Sequence, residues 1–138
     1  MTPVEIARAH VARRTPWRHQ ARGPDWLDCI GLVRDCFAQY GLQDRRNYDR
    51  NPRGGQLESE FREQFGFPIP KGEMREEDVV LMAFPNVIRH VGIVANHWLG
   101  GLSLIHTWAG GPRCVCETPI DAQWLRRIKI VHRWETSP

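Results

Sequence analysis

The sequence lacks any run of apolar residues long enough to span a bilayer, and its start does not have the pattern of a signal peptide. We therefore expect a protein that is made in the cytoplasm and is not inserted into a membrane. Internal repeats, low-complexity tracts and linker-like segments are also missing. The 138 residues predict one domain of ordinary size, residues 1–138.

A large charge excess is missing as well. The chain has 19 basic and 16 acidic side chains, for a formal net charge of +3. No basic run is interleaved with aromatic residues, so we expect no nucleic-acid partner. The four cysteines give no reason to expect disulfides. With 41% hydrophobic residues, the protein has enough apolar side chains to bury a core without such cross-links.

The periodicity of apolar residues changes along the chain, from helical in the first half to alternating in the second. A capping box formed by Thr2 and Glu5 predicts the start of the first helix. Helices are predicted over residues 2–14, 29–40 and 57–65, with a helical turn within 120–127. Strands are predicted over residues 78–84, 91–95, 102–108, 113–118 and 128–134. Helices followed by antiparallel strands indicate an α+β domain.

The start of the second helix carries a candidate nucleophile. Asp28 is the expected N-cap, which places Cys29 in the first turn. The positive end of the helix dipole and a nearby histidine would lower the pKa of this thiol and favour the nucleophilic thiolate. Gly31, without a Cβ, lets another backbone or a substrate approach closely. The alternative is that Cys29 is a small buried hydrophobic residue, the commoner fate of a cysteine.

Two histidines on predicted strands are candidate partners for that thiol. Alternation puts His90, Gly92 and Val94 on one face of their strand. His106 lies on the next strand, where it could bond the second ring nitrogen of His90 and fix its tautomer. This arrangement predicts a base oriented by a third group. Surface or loop positions are expected for the remaining histidines, His10, His19, His97 and His132.

The other cysteines are interpreted as structural. Cys36 is expected in the core, and Cys114 and Cys116 alternate on one strand face. Zinc coordination by Cys29 with the two strand histidines is a chemical rival, because these residue types are good zinc ligands. Their spacing matches no compact metal motif, so we predict no metal site.

Four segments, in this order along the chain, resemble those of the NlpC-type cell-wall cysteine peptidases. The segments are 28–33 (DCIGLV), 78–82 (DVVLM), 90–94 (HVGIV) and 104–106 (LIH). The resemblance extends from about Val4 to Trp134. It implies a reduced papain-like fold, in which N-terminal helices pack on an antiparallel sheet of about five strands. Segment 15–20 (TPWRHQ) and Arg34 are similar to a phage-tail branch of the family, related to proteins of gene transfer agents.

Site roles follow from the resemblance by position. It implies that Cys29 is the nucleophile, His90 the general base and His106 the residue that orients it, with no metal or organic cofactor. Substrate contacts are expected at Trp17, Asp28 and Gly31. The implied reaction is cleavage of peptidoglycan stem peptides next to a γ-D-glutamyl–diamino acid bond. The implied partners are other tail-tip or baseplate proteins, and the expected place of action is the cell wall or periplasm, reached in a virion or phage-like tail.

Two positions depart from the family pattern. Trp17 stands where many relatives have a tyrosine, and an indole donates a hydrogen bond but cannot accept one. Glu77 stands where relatives often have glycine, which predicts a local change of turn. Three alternatives stay open at this point: an amidase or cross-link endopeptidase, a non-catalytic tail-tip subunit of the same fold, and a zinc-binding interaction module.

Overall fold

A computed structural model describes residues 1–23, 25–44 and 55–135. The helices in these ranges are α1 (Pro3–Arg13), α2 (Cys29–Phe37), α3 (Gln56–Phe65) and α4 (Ala122–Arg127), with 3-10 turns at Ala38–Tyr40 and Lys71–Glu73. The strands are β1 (Val79–Ala83), β2 (Ile88–Asn96), β3 (Leu102–His106), β4 (Cys116–Pro119) and β5 (Ile128–His132). The predicted α+β class is confirmed.

Local capping determines where the first two helices begin. In α1, Thr2 Oγ1 accepts a hydrogen bond from the Glu5 N–H at 3.1 Å, and the Thr2 N–H donates to Glu5 Oε1 at 2.8 Å. In α2, Asp28 Oδ1 accepts from the Gly31 N–H at 2.6 Å. Both predicted N-caps are confirmed. The second helix was predicted to run to residue 40, but α2 ends at Phe37, and a 3-10 turn then leads to the predicted stop at Gly41, which has φ 97°.

The five strands form one antiparallel sheet in the order β4-β3-β2-β1-β5. The predicted strands are all present, although β4 begins at Cys116 rather than at residue 113. The reason is that the preceding residues pair with the loop after α1 instead of with β3. Cys114 bridges Pro16, and the Val115 N–H donates to the Thr15 carbonyl at 2.8 Å.

The two faces of the sheet bury different sets of side chains, as the period of two requires. One face packs on the first three helices and contributes Val79, Leu81, Val91, Ile93 and Ile105. The opposite face is covered by α4 and by residues 69–74, and it contributes Val80, Met82, Val94, Leu104, Ile128 and Val131. His90 and His106 alternate with residues of the helix-packed face, so both project from the opposite face.

Two histidines that were expected at the surface are buried. His10 is 2% exposed, and its Nε2 lies 2.7 Å from Asp35 Oδ2 and its Nδ1 2.9 Å from Thr15 Oγ1. His132 is 1% exposed and packs on the rings of Phe61 and Phe65. The surface prediction was wrong for these two, because polar partners or aromatic rings from distant elements accommodate them.

The turn before β1 contains a residue in an unusual backbone conformation. Glu77 has φ 75°, in the left-handed region that glycine adopts most readily. A non-glycine residue there costs roughly 1 kcal/mol. The turn nevertheless keeps its hydrogen bond from the Glu77 N–H to the Val94 carbonyl, at 2.8 Å. Glu77 therefore adopts a glycine-type backbone conformation, and the expected change of turn relative to the family stays a prediction. In the described part of the chain, no helix has both the length and the apolar character to cross a bilayer.

Candidate active site

The N-cap of α2 fixes the position of Cys29. Asp28 is buried, and its Oδ1 accepts from the Gly31 N–H at 2.6 Å and from Arg22 Nη1 at 3.1 Å. Its Oδ2 accepts from the Gln20 N–H at 2.9 Å. One carboxylate thus ties Gln20 and Arg22 of the preceding loop to the first turn of α2. Cys29, the next residue, is partly exposed.

Gly31 makes room for that loop. A Cβ on Gly31 would lie 2.2 Å from the carbonyl oxygen of Ala21 and 3.0 Å from Asp28 Oδ1. The sequence predicted that either a backbone or a substrate approaches this glycine, and the structure places a backbone carbonyl there. Contact of Gly31 and Asp28 with substrate stays a prediction.

The sulfur of Cys29 lies near the backbone of Val91 on β2. The ladder between these strands runs from Asn96 paired with Leu102 to Ile93 paired with Ile105. Val91 lies beyond the last pair, and its backbone N–H interacts with the Cys29 sulfur and lowers its pKa. Because this N–H lies in the plane of the sheet, the sulfur sits at the edge of β2, next to the residue that follows His90.

The predicted bond between the two strand histidines is present. His90 Nε2 lies 2.8 Å from His106 Nδ1, and both rings are buried. One of these nitrogens must donate and the other accept. If Nε2 of His90 carries the hydrogen and donates it, then Nδ1 of His90 is the basic nitrogen. His106 thereby orients the ring and determines which nitrogen can take a proton.

Gly92 allows the rings of His90 and His106 to meet across the two strands. A Cβ on Gly92 would lie 2.5 Å from Leu104 Cδ1 and 3.3 Å from His106 Cβ. It would also lie 3.1 Å from the carbonyl oxygen of Ile105. The missing side chain lets the side chains of β3 lie over β2, so the ring of His106 reaches that of His90.

Three aromatic side chains enclose the histidine pair. Ring centroids are 5.2 Å apart for Trp108 and His90, 5.9 Å for Phe84 and His90, and 4.9 Å for Trp124 and His106. Sequence reasoning missed all three. A signal existed for Trp108, which follows His106 by two residues on a predicted strand. No pattern in the neighbouring sequence indicates that Trp124, which comes from α4, belongs to this enclosure.

Burial determines the protonation of the site. It lowers the pKa of His90 well below 6.5, helped by the neighbouring His106, and it lowers the pKa of His106 to about 4. Burial, and then the Asp28 carboxylate, raise the pKa of Cys29 to about 12, against the effect of nearby backbone N–H groups. The sequence predicted a lowered thiol pKa, and the structure gives the opposite direction. These pKa directions favour the neutral thiol of Cys29 and the neutral imidazole of His90 near pH 7.

These pKa directions predict a broad pH profile. Since the reactive form needs neutral His90 and protonated Cys29, kcat/KM should rise through an acid limb well below pH 6.5. It should then stay level to about pH 9, because the raised pKa of Cys29 moves the alkaline limb upward. Initial rates measured across this range test the expectation. An alkaline limb between about pH 7 and about pH 9 would instead indicate a preformed thiolate–imidazolium pair.

The remaining site residue lies in the loop before α2. Trp17 is partly buried, its backbone N–H donates to the Arg113 carbonyl at 2.8 Å, and the Arg113 guanidinium lies 5.5 Å from its ring centroid. A parallel bridge with Leu27 holds Trp17 beside the entry to α2. Its contact with substrate stays a prediction.

The structural role predicted for Cys36 is confirmed, because it is fully buried. Cys114 and Cys116 are free and partly exposed. Within residues 1–23, 25–44 and 55–135, no group of three or more His, Cys, Asp or Glu side chains is arranged to hold a metal ion. The geometry also does not favour the zinc alternative, because His90 Nε2 and His106 Nδ1 face each other and cannot both coordinate the same ion.

Comparisons with known proteins bear on the family and the fold of the chain. Residues 14–133 match the NlpC/P60 family. NlpC2 from Trichomonas vaginalis is 14% identical with a TM-score of 0.69, over 98% of this chain and 46% of that protein. NlpC1 from the same organism is 14% identical with a TM-score of 0.66, and the match covers 98% of this chain and 44% of that protein. The NlpC/p60 domain of the peptidoglycan hydrolase SagA is 20% identical with a TM-score of 0.64, over 96% of both proteins.

The chain thus spans less than half the length of the two Trichomonas proteins and nearly all of the SagA domain. At these identities the likeness establishes a shared fold. No curated protein matches the sequence.

Proposed function

We propose, from the premise that this chain belongs to the NlpC/P60 family, that it is a cysteine peptidase that hydrolyses the stem peptides of peptidoglycan. The observation that carries the proposal is the bond from His90 to His106, beside a cysteine at a helix start. Nucleophile, base and orienting group are the three parts that acyl transfer by a thiol needs. SagA, which shares the fold, is described as a peptidoglycan hydrolase.

In the proposed reaction, the Cys29 sulfur forms a bond to a peptide carbonyl carbon as its proton passes to Nδ1 of His90. The imidazolium gives that proton to the leaving amine, and the carbon–nitrogen bond breaks to leave a thioester. Water then adds to the thioester, with His90 accepting its proton. The carbon–sulfur bond breaks, the thiol regains a proton, and a carboxylic acid is released.

The low pKa of His106 supports this sequence of proton transfers. Because that pKa is about 4, His106 stays neutral near pH 7 and accepts the hydrogen bond from protonated His90 without competing for the proton. Backbone N–H groups at the start of α2, including that of Cys29, are the donors we assign to the oxyanion. We assign the scissile bond to the link between γ-D-glutamate and a diamino acid.

Digestion of purified sacculi tests the proposal. We expect wild-type protein to release fragments that carry a new γ-D-glutamyl carboxyl group or a new free amine on a diamino acid, both identified by mass spectrometry. New termini at the amide between sugar and peptide would instead identify an amidase. Intact sacculi after prolonged incubation with folded protein would contradict hydrolysis and favour a structural subunit.

We also propose that the protein acts from a phage or phage-like tail, where it contacts tail-tip or baseplate proteins. The support is the similarity of residues 15–20 and of Arg34 to that branch of the family. In this setting the peptidase would open the wall during DNA delivery. Failure to detect the protein in purified particles of its host would contradict this setting without affecting the proposed chemistry.

A further inference from the structure

Arg127 lies at the same end of the sheet as the histidine pair. It is the last residue of α4 and directly precedes β5. Met82 on β1 pairs with His90 on one side and with Ile128 on the other. Neighbouring strands lie about 4.8 Å apart, so the backbones of His90 and Ile128 are separated by roughly 10 Å. A long side chain at Arg127 can span much of that distance.

Two rings of the aromatic enclosure hold the Arg127 guanidinium. Its central carbon lies 4.7 Å from the ring centroid of Phe84 and 5.0 Å from that of Trp124. Phe84 contacts His90 and Trp124 contacts His106. Attraction between the cation and both ring faces restricts the side chain to the border of the candidate active site.

The hydrogen-bond donors of this guanidinium are unpaired in the described part of the chain. Arg8, Arg22 and Arg133 each form an ion pair with a carboxylate, whereas Arg127 forms no ion pair or side-chain hydrogen bond with any described residue. A guanidinium presents a planar fork of N–H groups that matches a carboxylate. Because the centroids of Phe84 and Trp124 are only 6.1 Å apart, both rings lie to one side of the guanidinium, and the donors on its other side stay able to bind.

We propose that Arg127 binds a carboxylate of the fragment that leaves during hydrolysis. This inference rests on the proposed function, since the imidazole that protonates the leaving amine must lie beside that fragment. The enclosure next to His90 is then the leaving-group side of the site. Arg127 selects a diamino acid whose side chain ends in a free carboxylate, such as diaminopimelate, over lysine, whose side chain ends in an amine alone.

Binding to Cys29→Ala protein separates recognition from chemistry. The probes are two synthetic peptides, L-Ala-γ-D-Glu-diaminopimelate and L-Ala-γ-D-Glu-L-Lys, each amidated at its backbone carboxyl terminus. By calorimetry we expect the first to bind roughly 10- to 100-fold more tightly, as charge-assisted hydrogen bonds would give. Adding Arg127→Gln to the Cys29→Ala protein should remove this preference, because it should weaken the binding of the first peptide only. Arg126→Gln, one residue earlier in α4, should leave it unchanged. Arg127→Lys, a second variant that keeps the charge, should retain part of it.

Each outcome bears on the inference. Equal affinity for the two peptides in the Cys29→Ala background, or no binding of either, would overturn it. An equal loss of affinity for both peptides in a folded Arg127 variant would also overturn it, because that result would mean that Arg127 acts through packing alone. A preference for the carboxylated peptide, combined with no hydrolysis of either peptide by wild-type protein, would reject the proposed function and retain the carboxylate site.

Discussion

Cys29→Ala is expected to lower kcat/KM on stem peptides by roughly 10⁴-fold or more, as removal of a catalytic nucleophile does in other hydrolases. Alanine cannot form the thioester, and the remaining histidines have no second route to the carbonyl carbon. The fold should persist, since Cys29 is partly exposed and its helix is capped by Asp28. Rates of peptide hydrolysis, read beside circular dichroism of the same samples, measure both expectations.

Two further variants control for this result. Cys114→Ala removes another free, partly exposed thiol, and it should keep nearly full activity. Cys29→Ser keeps a hydroxyl of similar size but replaces a strong nucleophile by a weak one, so it should behave much like Cys29→Ala. Retention of more than about a tenth of the wild-type rate by Cys29→Ala would remove this residue from the nucleophile role, given the size of such effects.

The parts of the fold that were predictable depend on short-range signals. The capping box at Thr2 and the N-cap at Asp28 each involve residues three apart, so their meaning does not depend on the rest of the fold. Strand positions followed from alternation, and alternation also placed His106 where its ring meets that of His90. The histidine pair of the candidate site could therefore be read from the sequence.

Features that depend on distant partners could not be read in this way. The burial of His10 requires Asp35 from a different helix, and the aromatic enclosure brings Trp124 from α4 to β3. The thiol pKa is the clearest case. The helix start is local and lowers that pKa, but burial depends on the whole fold and raises it to about 12. Local reasoning found the residues and missed their protonation.

Gly31→Ala provides the strongest test of the loop that supports the site. Helix propensity alone favours alanine over glycine by about 1 kcal/mol. Against this, the new Cβ would lie 2.2 Å from the Ala21 carbonyl oxygen, which belongs to the backbone and cannot rotate away as a flexible side group would. Moving that backbone also disturbs Arg22 and the cap at Asp28. We therefore expect the clash to outweigh propensity, with a net loss of roughly 3 kcal/mol in the free energy of unfolding.

Thermal unfolding of Gly31→Ala should show this loss as a fall in Tm of roughly 10 °C, and denaturant unfolding should show it as a lower free energy of unfolding. Hydrolysis should also be reduced, because Cys29 begins the same helix. Gly72→Ala is the matched control, since an added Cβ there meets nothing within 4 Å and its backbone is not left-handed. It should be neutral, or stabilise by about 0.5 kcal/mol through the unfolded state. If both variants raised Tm equally, the loop would not be pressed against α2, and the structural basis for the position of Cys29 would be lost.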